Sequence, residues 1–320
     1  MSKSFALKAM MSVACVAALV CSTASAREGS LAEETGLADA IVQDAAAYQA
    51  YVTKAAAVET SFKDGNGVRR TLKTGAAYEP AQLDSGEIAF AALIALQDKG
   101  FTASVKDMAR DPRLRREMSD RFAQYPEAVF DVPGAERAAA RASAVLTGQA
   151  RKVMDAGAAV KQSAYDVQRS AWSKGAVTDR PQRLAQVKQL SVTRFAITPQ
   201  DSAKLVKAVD EYRDRDDTHR SGAASSAVVR GTALAALAVM GRAGEDNAET
   251  VKALLKSDSG ARCLKWAKMN LYQCLAVAVP RYEDLFCAGV HALSETGQCL
   301  SDAAQKPIKS RWAGDDRAGR

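Results

Sequence analysis

Residues 261–300 read ARCLKWAKMNLYQCLAVAVPRYEDLFCAGVHALSETGQCL, and this stretch decides the fold of the C-terminal third. Residues 262–278 and 282–295 carry helical patterns, with Pro280 between them and Gly297 after the second. Proline cannot continue a helix and glycine commonly follows one, so we expect two helices joined by a turn. Four cysteines lie on them at intervals of eleven to thirteen residues: Cys263, Cys274, Cys287 and Cys299. Zinc ligands are usually about two to four residues apart, so the spacing predicts disulfides and no metal site.

The geometry of a helical hairpin leaves one way of pairing these cysteines. Cys263 and Cys274 are separated by roughly 16 Å along one helix, whereas a disulfide needs Cα atoms within about 7 Å. The same argument excludes Cys287 with Cys299 unless the second helix unwinds, and a crossed pairing would offset both bridges along the hairpin. Two pairs remain, Cys274–Cys287 and Cys263–Cys299. The first is centred between residues 280 and 281 and the second on residue 281, so both are centred at the turn.

In outline, the predicted hairpin is similar to the twin-cysteine hairpins of small mitochondrial intermembrane-space proteins. The resemblance covers the 40 residues 261–300, and both cysteine spacings are slightly longer here. It concerns the geometry of the hairpin and implies no function.

The first 26 residues predict an export signal. Lys3 and Lys8 provide a positive start, an apolar run extends from Ala9 to Val20, and 24–26 reads Ala-Ser-Ala. This order is typical of a signal peptide, and the run is shorter than the roughly 20 residues of a membrane span. We expect cleavage after Ala26 and a periplasmic or secreted protein, a compartment in which disulfides persist.

The composition favours an all-α helical bundle. About one residue in five is alanine, the residue with the highest helix propensity, and only 6% are aromatic. Without residues 1–26, 42 basic and 37 acidic residues remain, a net charge of +5 rather than +7. This mild excess is compatible with an anionic polymer or an envelope protein as partner, and the predicted compartment argues against nucleic acid. No segment of the mature chain has the length and apolarity of a transmembrane span.

A seven-residue rhythm runs through the longest predicted helix, which begins near Pro133 and reaches about Lys174. Such a rhythm is typical of a coiled-coil seam, and its small residues permit close approach of a partner helix. We favour a partner in the same chain, for example the helix predicted over Glu33–Phe62; the alternative is an oligomer. The seam consists of Leu146, Ala150, Val153, Gly157, Val160, Ala164, Val167 and Ala171.

A mixed-charge stretch that passes into glycine and serine, residues 213–226, is typical of an exposed linker. We therefore predict a signal peptide over 1–26 and an N-terminal helical domain over 27–212. A C-terminal helical domain with the two disulfides follows over 227–305, and a disordered tail over 306–320.

Candidate chemistry is confined to one helical stripe, on which His291 lies between Glu283 and Glu295. A histidine with two carboxylates can serve acid–base catalysis, although a hydrogen-bonded structural histidine is the commoner case. The chain contains no nucleophile elbow and no glycine-rich phosphate loop, and we expect no cofactor. The leading hypothesis is a non-enzymatic exported protein that binds another envelope protein or polymer. The alternatives are a periplasmic hydrolase using His291 with Glu283 or Glu295, and a small-molecule carrier with an apolar pocket.

Overall fold

A computed structural model describes residues 31–213 and 225–307 of the chain. The predicted signal peptide, most of the predicted linker and the tail beyond Pro307 lie outside the described residues. The described part is helical and contains no β-strand, which confirms the all-α class.

After a short helical turn at 31–35, nine α-helices and one 3-10 helix precede the undescribed residues 214–224. Within 31–213 these are α1 (Asp39–Ala56), α2 (Gly65–Ala76), α3 (Pro80–Ala95), α4 (Lys99–Met108), α5 (Pro112–Gln124), α6 (Ala135–Val167), α7 (Ala171–Lys174), α8 (Arg180–Leu190) and α9 (Pro199–Asp210), with a 3-10 helix at Pro126–Asp131.

The C-terminal described part, 225–307, contains a hairpin preceded by shorter elements. Its helices are α10 (Ser226–Val239), a 3-10 turn (Glu245–Asn247), α11 (Ala248–Leu254), α12 (Asp258–Val277), α13 (Arg281–Cys287), a π-helical segment (Ala288–Ser294) and α14 (Glu295–Gln305). We call α12 the first arm of the hairpin, and α13, the π-helical segment and α14 together the second arm.

The prediction of one helix over Glu33–Phe62 is wrong at both ends. Gly36 adopts a positive φ of 71°, which separates a short helical turn at 31–35 from α1. At the other end, α1 stops at Ala56, and Asp64 starts a new helix that the sequence pattern did not predict. Its carboxylate accepts hydrogen bonds from the backbone N–H groups of Asn66 and Gly67, the arrangement of a helix N-cap.

Helix α3 forms the centre of the core. All of its residues except Ala81 are buried, and it packs against α1, α6, α10 and α12. Gly231 allows α10 to come close, because a Cβ atom there would lie only 2.9 Å from the carbonyl oxygen of Ile88. Buried side chains from both sides of residues 213–226 belong to one hydrophobic cluster. The two parts that the sequence separates at this point therefore share a core.

Two disulfides join the arms of the hairpin, and they pair the cysteines as the spacing predicts. Cys274–Cys287 lies near the turn, with Cα atoms 5.7 Å apart, and Cys263–Cys299 lies near the open end, with Cα atoms 5.6 Å apart. The bridges fix the first arm against the second at two levels.

The second arm is longer than the predicted helix 282–295. It continues to Gln305, and Gly297 lies inside it rather than after its end. Gly297 is buried against α6, where a Cβ atom would come within 2.9 Å of the Met154 nitrogen and 3.0 Å of the Ala150 oxygen. The glycine therefore permits close helix packing and does not terminate the helix.

The partner of the seven-residue seam is the second arm of the hairpin. The members of the seam from Leu146 to Ala164 are buried, and the second arm packs along α6 throughout. The seam is shorter than predicted, since α6 ends at Val167 and Ala171 is exposed on α7. The seam from Leu146 to Ala164 is therefore covered within the chain, as the intramolecular alternative expects, but by the second arm.

Candidate functional site

Large apolar side chains are exposed along the outer face of the first arm and at its tip. Trp266 is 55% exposed, Met269 is 45% exposed and Val277 is 75% exposed. Met269 and Val277 follow Trp266 by three and eleven positions. The three side chains therefore lie on one side of the helix, over a length of roughly 16 Å. Val279, in the turn that follows, is 43% exposed. We call these four residues the outer ridge.

The outer ridge points away from the core because the opposite side of the same helix is buried in the core. Leu264, Leu271 and Leu275 are buried there against the rest of the molecule. Two disulfides hold this orientation, one at Cys263, which lies one turn before Trp266, and one at Cys274. The ridge is therefore presented on a covalently constrained helix, which limits the conformational entropy lost on binding.

Positive charge borders the outer ridge at its tryptophan end. Arg262 and Lys265 lie four residues and one residue before Trp266, and both are exposed. Tryptophan and arginine are the residues most enriched among the energetically dominant positions of protein interfaces. An exposed tryptophan with flanking cations is thus an arrangement suited to a partner with an apolar pocket and an acidic rim.

The structure brings His291 and Glu295 together but leaves Glu283 elsewhere. His291 Nδ1 lies 2.8 Å from Glu295 Oε1, and Asn270 of the first arm donates to Glu295 Oε2 at 3.0 Å. Glu283 instead accepts a hydrogen bond from the Val279 backbone nitrogen at 2.8 Å, closing the hairpin turn. His291 lies within the π-helical segment, a distortion frequent at functional sites. The arrangement orients an imidazole and joins the two arms.

Ionisable side chains that the sequence analysis did not single out are buried in the core. Burial raises the pKa of Asp84 to about 7, while the Ser257 backbone N–H, which donates to this carboxylate at 2.8 Å, acts in the opposite direction. Burial and the nearby Asp84 raise the pKa of Glu87 well above its usual value. Lys268 donates to the Ala76 carbonyl at 2.6 Å, and burial lowers its pKa well below its usual value. These groups connect α2, α3 and the first arm.

A cleft near Glu34 and Arg213 has a volume of about 490 Å³. Its lining is largely charged or polar, including Glu33, Lys99 and Lys106. Pockets for small organic ligands are mostly apolar with a few polar groups. This cleft therefore does not match the apolar pocket of the carrier hypothesis.

Comparison of the chain with family models, curated proteins and solved structures finds no significant match. Among residues 31–213 and 225–307, no single helix combines the length and the apolarity needed to cross a membrane. The pair Pro80–Ala95 and Lys99–Met108 meets those requirements only when taken together, and its two helices are bent by 89°. In the same ranges, no three or more His, Cys, Asp or Glu side chains form a group that could hold a metal ion.

Proposed function

We propose that this chain is an exported, non-enzymatic helical protein that binds another envelope protein through the outer ridge of its hairpin. The single observation that carries the proposal is the exposed Trp266, held on a helix that two disulfides constrain. An exposed tryptophan leaves a large apolar area in contact with water unless a partner covers it. An anionic envelope polymer is the competing ligand.

The composition of residues 1–26 supports export, and so do the two disulfides, which persist in oxidising compartments. The charges around the ridge support a protein partner with an acidic rim, because Arg262 and Lys265 are exposed beside Trp266. The seam of α6 is buried within the chain, so the ridge is the better placed of the two surfaces for an intermolecular contact.

Site-specific photo-crosslinking tests the proposal directly. A benzophenone amino acid at position 266 should capture a defined protein in the native host, which mass spectrometry then identifies. The same probe at Val192, an apolar residue that is 70% exposed and does not belong to the outer ridge, is the matched control and should not capture it. The partner is then purified, and its affinity is measured by isothermal titration calorimetry.

The variant Trp266→Ala should weaken that affinity by about 30-fold, which corresponds to a loss of about 2 kcal/mol at an interface hot spot. Val192→Ala should leave it unchanged. Equal affinity for the wild type and Trp266→Ala would contradict the proposal. Capture of an anionic polymer whose binding ignores Trp266→Ala and disappears with added salt would contradict it as well, in favour of the polymer.

A hydrolase centred on His291 is the second candidate, and one observation favours it. The hydrogen-bonded chain from Asn270 through Glu295 to His291 resembles the way in which a carboxylate orients a catalytic imidazole. Under this alternative, purified protein cleaves an ester, amide or glycosidic bond of envelope material, and His291→Ala abolishes the activity. An activity that His291→Ala leaves intact removes this version of the enzyme.

A further inference from the structure

A small cleft at the tip of the hairpin has an unusual concentration of positive charge. It lies between α2, α8, the segment 177–179 and α13, and its volume is about 50 Å³. A water molecule needs about 10–15 Å³ of cleft volume, so the cleft has room for roughly four waters. Its charged lining consists of Arg69, Lys73, Arg183 and Arg281 with Asp179 and Asp284.

Two of these charges neutralise each other. Arg183 and Asp284 form an ion pair in which both side chains are 5% exposed, and the other terminal nitrogen of Arg183 donates to the Leu275 carbonyl. The Arg183 Nε atom is buried without a hydrogen-bond partner. The pair thus contributes no net charge to the cleft, and one of its donors remains unused.

Arg281 is held in place without a carboxylate partner among the described residues. Its Nη1 atom donates to the Trp172 carbonyl at 3.0 Å. Its side chain passes between two glycines: a Cβ atom at Gly65 would lie 3.0 Å from Arg281 Cδ, and one at Gly175 would collide with Nη1. Any larger residue at either position would displace the guanidinium, so the two glycines preserve the space it occupies.

The remaining cations of the cleft are also unpaired by carboxylates. Arg69 donates to the side-chain oxygen of Asn66, an uncharged group, and Lys73 is exposed. In residues 31–213 and 225–307, none of Arg69, Lys73 and Arg281 forms an ion pair within 4.0 Å. Against these three cations stands the exposed Asp179, which leaves a net charge of +2.

We propose that this cleft binds a tetrahedral oxyanion of the phosphate class, held by Arg281 and Lys73 with Arg69 at the edge. Guanidinium groups match the oxygen geometry of phosphate, and a lysine adds a mobile point charge. The excess of two positive charges suits a dianion. No residue of the outer ridge lines the cleft, so the anion site and the proposed protein contact use different side chains.

Inorganic phosphate is the first probe, titrated into the full mature protein by isothermal titration calorimetry at constant ionic strength, with chloride as the competing salt. We expect a dissociation constant of about 1 mM or lower for phosphate. Glycerol 3-phosphate is titrated in parallel. Tighter binding of the ester identifies the terminal phosphate of a larger molecule as the ligand, whereas tighter binding of inorganic phosphate identifies the free ion.

Two variants test the assignment of the residues. Lys73→Gln changes an exposed side chain and should fold normally, while Arg281→Gln removes the guanidinium itself. Each should weaken phosphate binding by about 10-fold or more, because each removes a charge-assisted contact. Arg113→Gln, an exposed arginine on α5 outside the cleft, is the control and should bind as the wild type does.

Absence of phosphate binding by the wild type up to on the order of 10 mM would overturn the proposal, since that is weaker than a specific site requires. Equal phosphate affinity in the Lys73→Gln and Arg113→Gln variants would also overturn the proposal. Lys73 is exposed and forms no ion pair within residues 31–213 and 225–307, so the comparison of Lys73→Gln with Arg113→Gln is decisive even if Arg281→Gln is too unstable to measure.

Discussion

Gly157 lies on α6 where the backbone of the second arm touches it. A Cβ atom at this position would lie 2.6 Å from the Ser294 nitrogen and 2.7 Å from the Gly289 oxygen. Carbon atoms normally approach other heavy atoms to about 3.5 Å, so Gly157→Ala requires the second arm to move by roughly 1 Å. Both contacts are to backbone, and the disulfides join this arm to α12, so the displacement cannot be confined to one side chain.

The same helix contains the matched control. Gly148 is exposed, and a Cβ atom there would have no neighbour within 4 Å. Gly148→Ala should therefore stabilise the protein by about 0.5–1 kcal/mol, the intrinsic gain of alanine over glycine in a helix. Gly157→Ala has the same gain but also an overpacking cost of about 1–3 kcal/mol, and we expect it to be less stable than Gly148→Ala by that cost.

Urea unfolding followed by far-ultraviolet circular dichroism measures both free energies on the same chain. In thermal unfolding, the two variants should differ by roughly 2–4 °C for each kcal/mol, given the size of the protein. Gly289→Ala should behave like Gly157→Ala, since its Cβ atom would lie 2.8 Å from the Gly157 oxygen. If Gly157→Ala proved as stable as Gly148→Ala, the close packing of the second arm on α6 would be refuted.

Further predictions concern the buried groups and the hairpin. Because the pKa of Asp84 is about 7 in the fold against 3.8 otherwise, stability should fall as the pH rises from about 4 to 7, by up to about 4 kcal/mol in total. Asp84→Asn should reduce this slope in urea titrations at several pH values and leave the part that Glu87 contributes, since the pKa of Glu87 is raised as well; an unchanged slope would exclude Asp84 as a source. Replacing both Cys274 and Cys287 by serine should cost about 3 kcal/mol in unfolding free energy, the loop-entropy value for a loop of this length, and a loss below 1 kcal/mol would contradict it. Arg183→Met should cost about 3–5 kcal/mol by leaving the Asp284 carboxylate buried and alone, whereas the double variant with Asp284→Leu should recover most of the loss; a double variant no more stable than the single one would argue against the pairing.

The disulfide pairing was predictable because it depends on distances along the chain. The rise of an α-helix is constant, so eleven residues exclude a bridge within one helix, and symmetry about Pro280 selects one pairing. The all-α class was predictable for a similar reason, since the high alanine content acts locally on the backbone. Both predictions required no knowledge of what packs against what.

Glycines illustrate the opposite case. Gly297 was predicted to end a helix, but the structure places it in a helix interior against α6. Gly65 and Gly67 lie in a helix that the sequence pattern did not predict, and the Asp64 carboxylate caps it. A glycine allows a turn, a helix end or a close helix contact equally well, and only the neighbouring element shows which of these it serves.

Some contacts at the candidate sites could be predicted from the sequence, and others could not. His291 and Glu295 are four residues apart on the second arm, so their contact could be predicted from helical spacing. The contact between Arg183 and Asp284 spans 101 residues, and that between Asp84 and Ser257 spans 173 residues. Helical spacing contains no information about contacts of that range.

The helical class and the pairing of the two bridges follow from the amino-acid sequence, because propensity and helical rise operate over a few residues. Which faces of those helices are covered depends on the tertiary packing. It placed the second arm on the seam of α6 and left Trp266 exposed, although both surfaces are apolar in sequence. The hydrophobic effect favours burial of either face and has no direction of its own, so the choice between them falls to the shapes of distant helices that must fit together.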